Sequence, residues 1–418
     1  MEIYVPRQFS AERPAVTYTH QLLAMNIEDH PLGKTFPKAT EDSSIQAGPP
    51  VFRDFAARGD APTALKDFIY SDTPQLSLHI TSFNDATLVA LSWPHTLMDV
   101  MGQQALLHSW SLVLAGRESE VPPVLGAQED AICAAVNVPV EEKEEEFKLG
   151  NKQLKGWQML KFGLRFGLDL LWNQVVETRT LFLPKRLVTE LRRQAQEDLA
   201  VLGGEEEELF VSEGDVLTAW VTRAIVSSLP QPRPVTVLHA LNARFRLPSL
   251  VQAPGVYIQN MAIAAFAFLS QEVAAGSLGV MALANRRDLK EQSTEGQVLA
   301  FLRYLQEKPK VESDPSMVCG ETDAVLVPCT NWTRARIFQT ADFSAAVVRA
   351  GEIQSARSNP PGSIVFHHAQ SLRSSAAVRN VIVLLGKDHG NNHWLTGILL
   401  PSAWARLEED IKQMEQHR

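Results

Sequence analysis

Cysteine is scarce here: Cys133, Cys319 and Cys329 are three in 418 residues, odd in number and widely spaced. They offer neither a disulfide framework nor the paired spacing of a structural zinc site, and they suit a reducing compartment. A basic tract is also missing. The formal net charge is −9, so neither nucleic acid nor an anionic membrane is expected as a partner. No run of about 18 apolar residues is present to span a bilayer. The opening Met1-Glu-Ile-Tyr-Val-Pro6 lacks the basic flank and apolar core of a secretory signal, and the expectation is a soluble, cytoplasmic protein. The glycine-rich motifs G-x-G-x-x-G and G-x-x-x-x-G-K-[ST] do not occur, which leaves dinucleotides and P-loop nucleotides without a recognisable cradle. G-x-S-x-G is absent too, so a serine on a nucleophile elbow is not expected. Two histidine pairs suggest metal only superficially. In His389-Gly-Asn-Asn-His393 a glycine and two asparagines oppose the helix that i, i+4 ligation needs, and Asp388 is the sole carboxylate beside them. His367 and His368 are adjacent and in a strand point to opposite faces. No metal site is expected.

What is present is an ordinary globular composition, 45% hydrophobic and 21% charged. The length exceeds one core and suggests two domains of about 200 residues, meeting near residue 178 (1–178 and 179–418). Glu-rich runs at 141–146 and 205–208 read as solvated loops. Residues 1–75 read as irregular chain feeding a few strands. Strands are expected at 76–82 and 86–92, separated by the turn signal Asn84-Asp85. The second of these is apolar enough to suggest burial on both faces. A helix over 103–116 ends at Gly116. Leu154 to Val176 carries Trp157, Leu160, Leu164, Leu168 and Leu171 at helical spacing; this stripe reads as core rather than membrane-binding, because its polar side is not strongly basic. Beyond it, strands are expected at 178–183, 236–241, 261–269, 324–328, 378–385 and 393–400. Helices are expected at 184–195, 216–229 after the start signal Ser212-Glu-Gly-Asp215, 293–306, and 403–416 after Ser402. The class is α/β with mixed sheets.

The most informative residues are His95 and Asp99, where a strand stops at Pro94 and a helix begins. A bare HxxxD arises by chance roughly every other chain of this make-up, so its setting carries the weight. A neutral imidazole there is able to take a proton from a hydroxyl or amine, which then attacks a thioester. Asp99 has two available parts: orienting the ring, as a triad carboxylate does, or locking the loop through an arginine.

With those residues in place the chain resembles the BAHD acyltransferases, in particular their fungal secondary-metabolite branch. The resemblance rests on His95 and Asp99 followed by Gly102, on Ser212 to Trp220, on Asn242-Ala-Arg244, on Tyr257-Ile-Gln-Asn260, on Thr330-Asn-Trp332 and on Asp342-Phe343, in the family's order. It implies a two-domain chloramphenicol acetyltransferase-like fold with the active-site channel between the domains. It further implies a monomeric enzyme with acyl-CoA as co-substrate, no permanently bound cofactor and a small-molecule acceptor. By that resemblance His95 is the general base and Asp99 is structural, paired with Arg244. Thr330 and Trp332 line the acceptor side, with the Trp332 indole N–H available to an oxyanion, and Asp342 and Phe343 support the domain interface and coenzyme channel. Two departures stand out. The family's Asp-Phe-Gly-Trp-Gly is here Asp342-Phe-Ser-Ala-Ala346, so the turn its glycines permit has to be made otherwise. His95 also lies close to the N-terminus, and the family's opening strand, its Leu-Ser-x-Leu-Asp-like start and its first helix are expected to be missing. A carrier-protein thioester donor, cyclisation or isomerisation on the same fold, and an inactive truncated relative are the alternative readings.

Overall fold

The computed structural model describes residues 3–138, 145–201, 203, 209–307, 317–349, 359–373, 375 and 377–416. Most of the two acidic runs, 141–144 and 205–208, lies outside these residues; Glu145 and Glu146 are exposed.

Twelve strands are described: β1 (Val16–Leu22), β2 (Ser44–Ala47), β3 (Leu76–Ser82), β4 (Thr87–Ser92), β5 (Val124–Leu125), β6 (Glu177–Leu183), β7 (Val235–Asn242), β8 (Val256–Tyr257), β9 (Ala262–Leu269), β10 (Val325–Asn331), β11 (Val381–Lys387) and β12 (His393–Leu399). The longer helices are α1 (Val100–Leu114), α2 (Trp157–Trp172), α3 (Lys185–Ala200), α4 (Glu213–Ser227), α5 (Leu278–Gln292), α6 (Glu295–Glu307) and α7 (Pro401–Gln416). The strands form a small sheet, β1-β3-β4, and a large mixed sheet, β2-β6-β12-β11-β10-β7-β9; β5 and β8 pair separately. In the large sheet β10 runs parallel to β7 and β11, and the remaining pairs are antiparallel. Strand β2 comes from the first part of the chain yet pairs with β6.

The main core lies where α3, α4, α5 and α7 cover one face of the large sheet. Leu191 and Ala195, Trp220 and Ala224, Met281 and Ala282, and Trp404 and Leu407 meet Leu181, Val237, Val327 and Leu395 there. Helix α4 is buried along most of its length because it sits between other helices and the sheet. Its start is fixed by a reciprocal capping box: the Asp215 N–H donates to Ser212 Oγ, and the Ser212 N–H donates to the Asp215 carboxylate at 2.9 Å. Helix α1 ends at Leu114 and is closed off just beyond by Gly116, at φ +70°, where the Gly116 N–H reaches the Val113 carbonyl and the Arg117 N–H that of Leu112.

Several expectations need correction. Strand β4 is not buried on both faces: it is an edge strand with alternating exposure, and Val89 is open to solvent. Helix α1 begins at Val100, with Asp99 as its N-cap, instead of after Gly102. Ser402 lies inside α7, which begins at Pro401, the ring that presets the helical φ. The residues around 278–292, which no sequence signal singled out, form α5. The stripe along α2 is not core: no residue of that helix is buried, and its tryptophans and leucines face solvent.

Candidate active site

Strand β4 runs out at Ser92, and Trp93 to Met98 form a tethered turn. The Trp93 indole donates to the Met98 carbonyl at 3.1 Å, and the Leu97 N–H donates to the Pro94 carbonyl at 2.8 Å. His95 stands on the outside of that turn, exposed. No side chain among the described residues hydrogen-bonds its ring. Its backbone, by contrast, is held: the Asn260 side-chain amide donates to the His95 carbonyl. The loop is therefore fixed while the imidazole stays free to meet a substrate.

Asp99 is buried and spends both oxygens on other partners. Oδ1 accepts from the N–H groups of Met101 and Gly102 at 3.0 and 3.1 Å, capping α1. Oδ2 accepts from Arg244 at 2.7 Å and from the Met261 N–H at 3.0 Å. None of these bonds goes to His95, so the carboxylate locks the loop and does not orient the ring. Arg244 is equally committed. Its remaining N–H groups donate to the carbonyls of Tyr257 (3.1 Å) and Gln259 and to Asn242 Oδ1. The pair thus joins three stretches of chain far apart in sequence: the start of α1, the turn after β7, and the segment 257–261 leading into β9. Gly102 is part of the same joint. A Cβ there would lie 2.1 Å from the Ile258 carbonyl oxygen, so only glycine lets α1 approach that segment.

Thr330 and Trp332 end β10. The Trp332 indole N–H donates to Thr330 Oγ1 at 3.0 Å, so it is already engaged in this arrangement. That leaves the Thr330 hydroxyl hydrogen as the group free to donate elsewhere. The indole stacks on the His367 ring, with centroids 6.4 Å apart, and Phe338 meets that imidazole edge-on. Burial pushes the His367 pKa down to about 3, and its enclosed Nε2 has no partner, so the ring is a neutral, packed plate behind the tryptophan. His368 points elsewhere, packing on Phe52 and Phe366. Just beyond Trp332, the Arg334 guanidinium lies 3.5 Å over the Phe245 ring, beside Arg244. This contact ties the Thr330–Trp332 side of the site to the Asp99–Arg244 side. Sequence reading named neither Asn260 nor Arg334 as a site residue. Asn260 stands within a quoted motif, whereas no spacing rule connects Arg334 with Phe245.

Asp342 and Phe343 brace α1 from the opposite end. The Asp342 N–H donates to Ser111 Oγ at 2.8 Å, and Phe343 meets Trp110 edge-on at 5.2 Å. The Asp342 carboxylate accepts from the Ser344 N–H at 2.9 Å, and the Ser344 hydroxyl together with that N–H holds its pKa below the usual range. The turn expected to need glycine is made by an ordinary short helical turn, Ser344–Ala346. Close approach is supplied instead by Gly362 on another segment, at φ +78°, where a Cβ would fall 2.3 Å from the Ser344 nitrogen. The structure therefore pairs His95 with Asn260 and Asp99 with Arg244, and the Met261 N–H on Asp99 ties the two pairs together through the chain. It pairs Thr330 with Trp332, and it packs α1 against Ala335 and Ile337, just beyond that pair, and against Phe343.

Comparison with known proteins adds identity to this geometry. The profile described as the Transferase family matches residues 61–346. O-acetyltransferase PaAT-2 of Phomopsis amygdali is 34% identical over 99% of this chain and 86% of its own length. Acetyltransferase pyiB of Pyricularia grisea is 34% identical over 100% of the chain and 82% of its own. Among solved structures, F. graminearum TRI101 complexed with coenzyme A and T-2 mycotoxin has the same fold, with a TM-score of 0.61 at 16% identity, over 96% of this chain and 80% of that one.

Proposed function

We propose, from the premise that this chain belongs to the Transferase family and is an acyl-CoA-dependent acyltransferase, that His95 is its general base toward a small natural-product acceptor. The observation that carries the assignment is the contrast at the HxxxD turn: Asn260 and Asp99 hold its backbone, and the His95 ring is left exposed. The imidazole takes the proton of an acceptor hydroxyl or amine as that atom attacks the thioester carbonyl. The C–S bond then breaks, and the departing thiolate receives the proton from the imidazolium, so His95 ends neutral. The Thr330 hydroxyl, its oxygen already accepting from Trp332, donates its own hydrogen to the developing oxyanion. Trp332 lines the acceptor side and positions Thr330. Asp99 and Arg244 hold the turn, and Asp342 and Phe343 hold the far end of α1 against the second lobe.

In this reading residues 1–178 and 179–418 are the two lobes flanking the channel, with β2 lent across to the large sheet. The enzyme acts as a monomer in the cytoplasm, a placement that suits a sequence with only three, widely spaced cysteines. No described helix is long and apolar enough to cross a membrane.

The test is thiol release from acetyl-CoA with a panel of terpenoid and polyketide alcohols and amines, read with a thiol reagent and by product mass. Addition of one acyl mass supports transfer; an unchanged mass supports isomerisation. A His95→Ala protein that releases thiol as fast as the parent would remove His95 from the mechanism.

A further inference from the structure

Helix α2 is more than half apolar, yet none of its residues is buried. Its inner side rests on the body through half-buried Phe162 and Phe166, above a cleft lined by Leu229, Leu326 and Leu400. Its C-terminal end is pinned. Asp169 pairs with Arg233 at 2.8 Å, and Arg379 donates to the carbonyls of Asp169 and Asn173 at 3.1 and 2.9 Å. The outer side is a continuous stripe. Trp157, Leu160, Leu164, Leu168 and Leu171 are each at least 50% exposed, and Trp172 is 81% exposed. Helical periodicity puts them within a single arc of roughly 120°. Isolated exposed apolar residues are ordinary, but a contiguous stripe on a helix fastened to the body is an interaction surface.

The charges around the stripe identify what it meets. From Gly150 to Leu168 the charged residues are Lys152, Lys155, Lys161 and Arg165, with no carboxylate, in a chain whose net charge is −9. The first acid beyond them, Asp169, is neutralised by Arg233. Lys155, Lys161 and Arg165 are exposed along the stripe, long enough to lay their stems on apolar surface and lift their charges aside. A tryptophan stands at each end, the side chain suited to the boundary between headgroups and acyl chains. We propose that α2 is an interfacial helix that lies, stripe downward, in the headgroup region of a bilayer containing anionic lipid. A second copy of the chain fits the stripe less well. Two such helices packed antiparallel about a two-fold axis bring Lys161 and Arg165 of both copies together with no acid between them. The expectation of no membrane partner rested on the net charge and on a polar side read as not strongly basic; the net charge averages over this segment, and its four cations with no acid before Asp169 are basic enough for an anionic surface.

The experiment is co-sedimentation of the full chain with vesicles of about seven parts phosphatidylcholine to three of phosphatidylserine, beside phosphatidylcholine alone. The parent is expected to pellet with the anionic vesicles and about tenfold more weakly with the neutral ones. Leu164→Glu with Leu168→Glu lowers binding to the anionic vesicles by about tenfold or more while leaving the circular dichroism spectrum unchanged, since both side chains face solvent. No pelleting, or pelleting that the double substitution leaves intact, overturns the proposal. So does a dimer in sedimentation equilibrium that the same substitution splits while neither protein binds vesicles.

Discussion

Asp99→Asn separates the two roles open to the HxxxD carboxylate, and the structure fixes what it should cost. Asp99 accepts four hydrogen bonds, two from the first turn of α1 and one each from Arg244 and the Met261 N–H. An asparagine offers one oxygen. Whichever way the amide turns, its NH2 group confronts two donors, so either the helix cap or the arginine contact is lost. Arg244, 8% exposed at its side chain, then keeps its charge with neutral acceptors only. Breaking a buried pair from one side costs about 3–5 kcal/mol. For a chain of 418 residues unfolding as one unit, at about 2.1 cal/mol/K per residue, 1 kcal/mol corresponds to about 1 °C. The melting temperature should therefore fall by about 3–5 °C, and thiol release should fall with it because the His95 turn loses its anchor. Adding Arg244→Met removes the stranded charge and should recover part of the loss, giving a coupling energy above about 1 kcal/mol. The measurement is a thermal melt of parent, single and double variants, beside the rate of thiol release. If Asp99→Asn melts with the parent while losing activity, the carboxylate is orienting the ring after all and the locking argument fails.

Other consequences are open to measurement. His95→Ala should keep the parent's melting temperature, since its side chain is exposed, while thiol release drops by about 10²–10⁴-fold; a lowered melt with normal turnover would contradict it. Gly102→Ala drives a methyl into the Ile258 carbonyl and should cost about 1–3 kcal/mol, read as a lower urea midpoint; an unchanged midpoint would show that α1 shifts freely. Burial lowers the pKa of His367 to about 3 and those of His368 and His393 to about 4. The unfolded chain therefore takes up these protons first. Stability should be full above about pH 6.5, fall as pH drops toward about 4 for His368 and His393 and about 3 for His367, and then level off for these groups. Between pH 7.5 and 5.5 the three together account for a loss of about 3–4 kcal/mol, and equal urea midpoints at the two pH values would refute the assignment.

Local chemistry made much of this fold readable. The Ser212–Asp215 cap, the positive φ of Gly116 and the Asn84-Asp85 turn each act within a few residues, and the elements beside them lie close to where the sequence puts them. What could not be read is whether an apolar face finds a cover. The run before Trp93 has the composition of a central strand, yet β4 is an edge because it pairs with β3 on one side and with no described strand on the other. The stripe on α2 has the periodicity of a core helix. Periodicity states which residues share a face, while burial depends on a partner surface from elsewhere in the chain. The site divides in the same way. His95 and Asp99 are four residues apart and legible as a motif. Arg244 is 145 residues from Asp99 and was reached only through family resemblance. Resemblance then left the carboxylate's partners to be counted in three dimensions. That count bounds the proposed chemistry: four donors lie on Asp99 and none of them is the imidazole, so a general base at His95 would work without a carboxylate behind its ring.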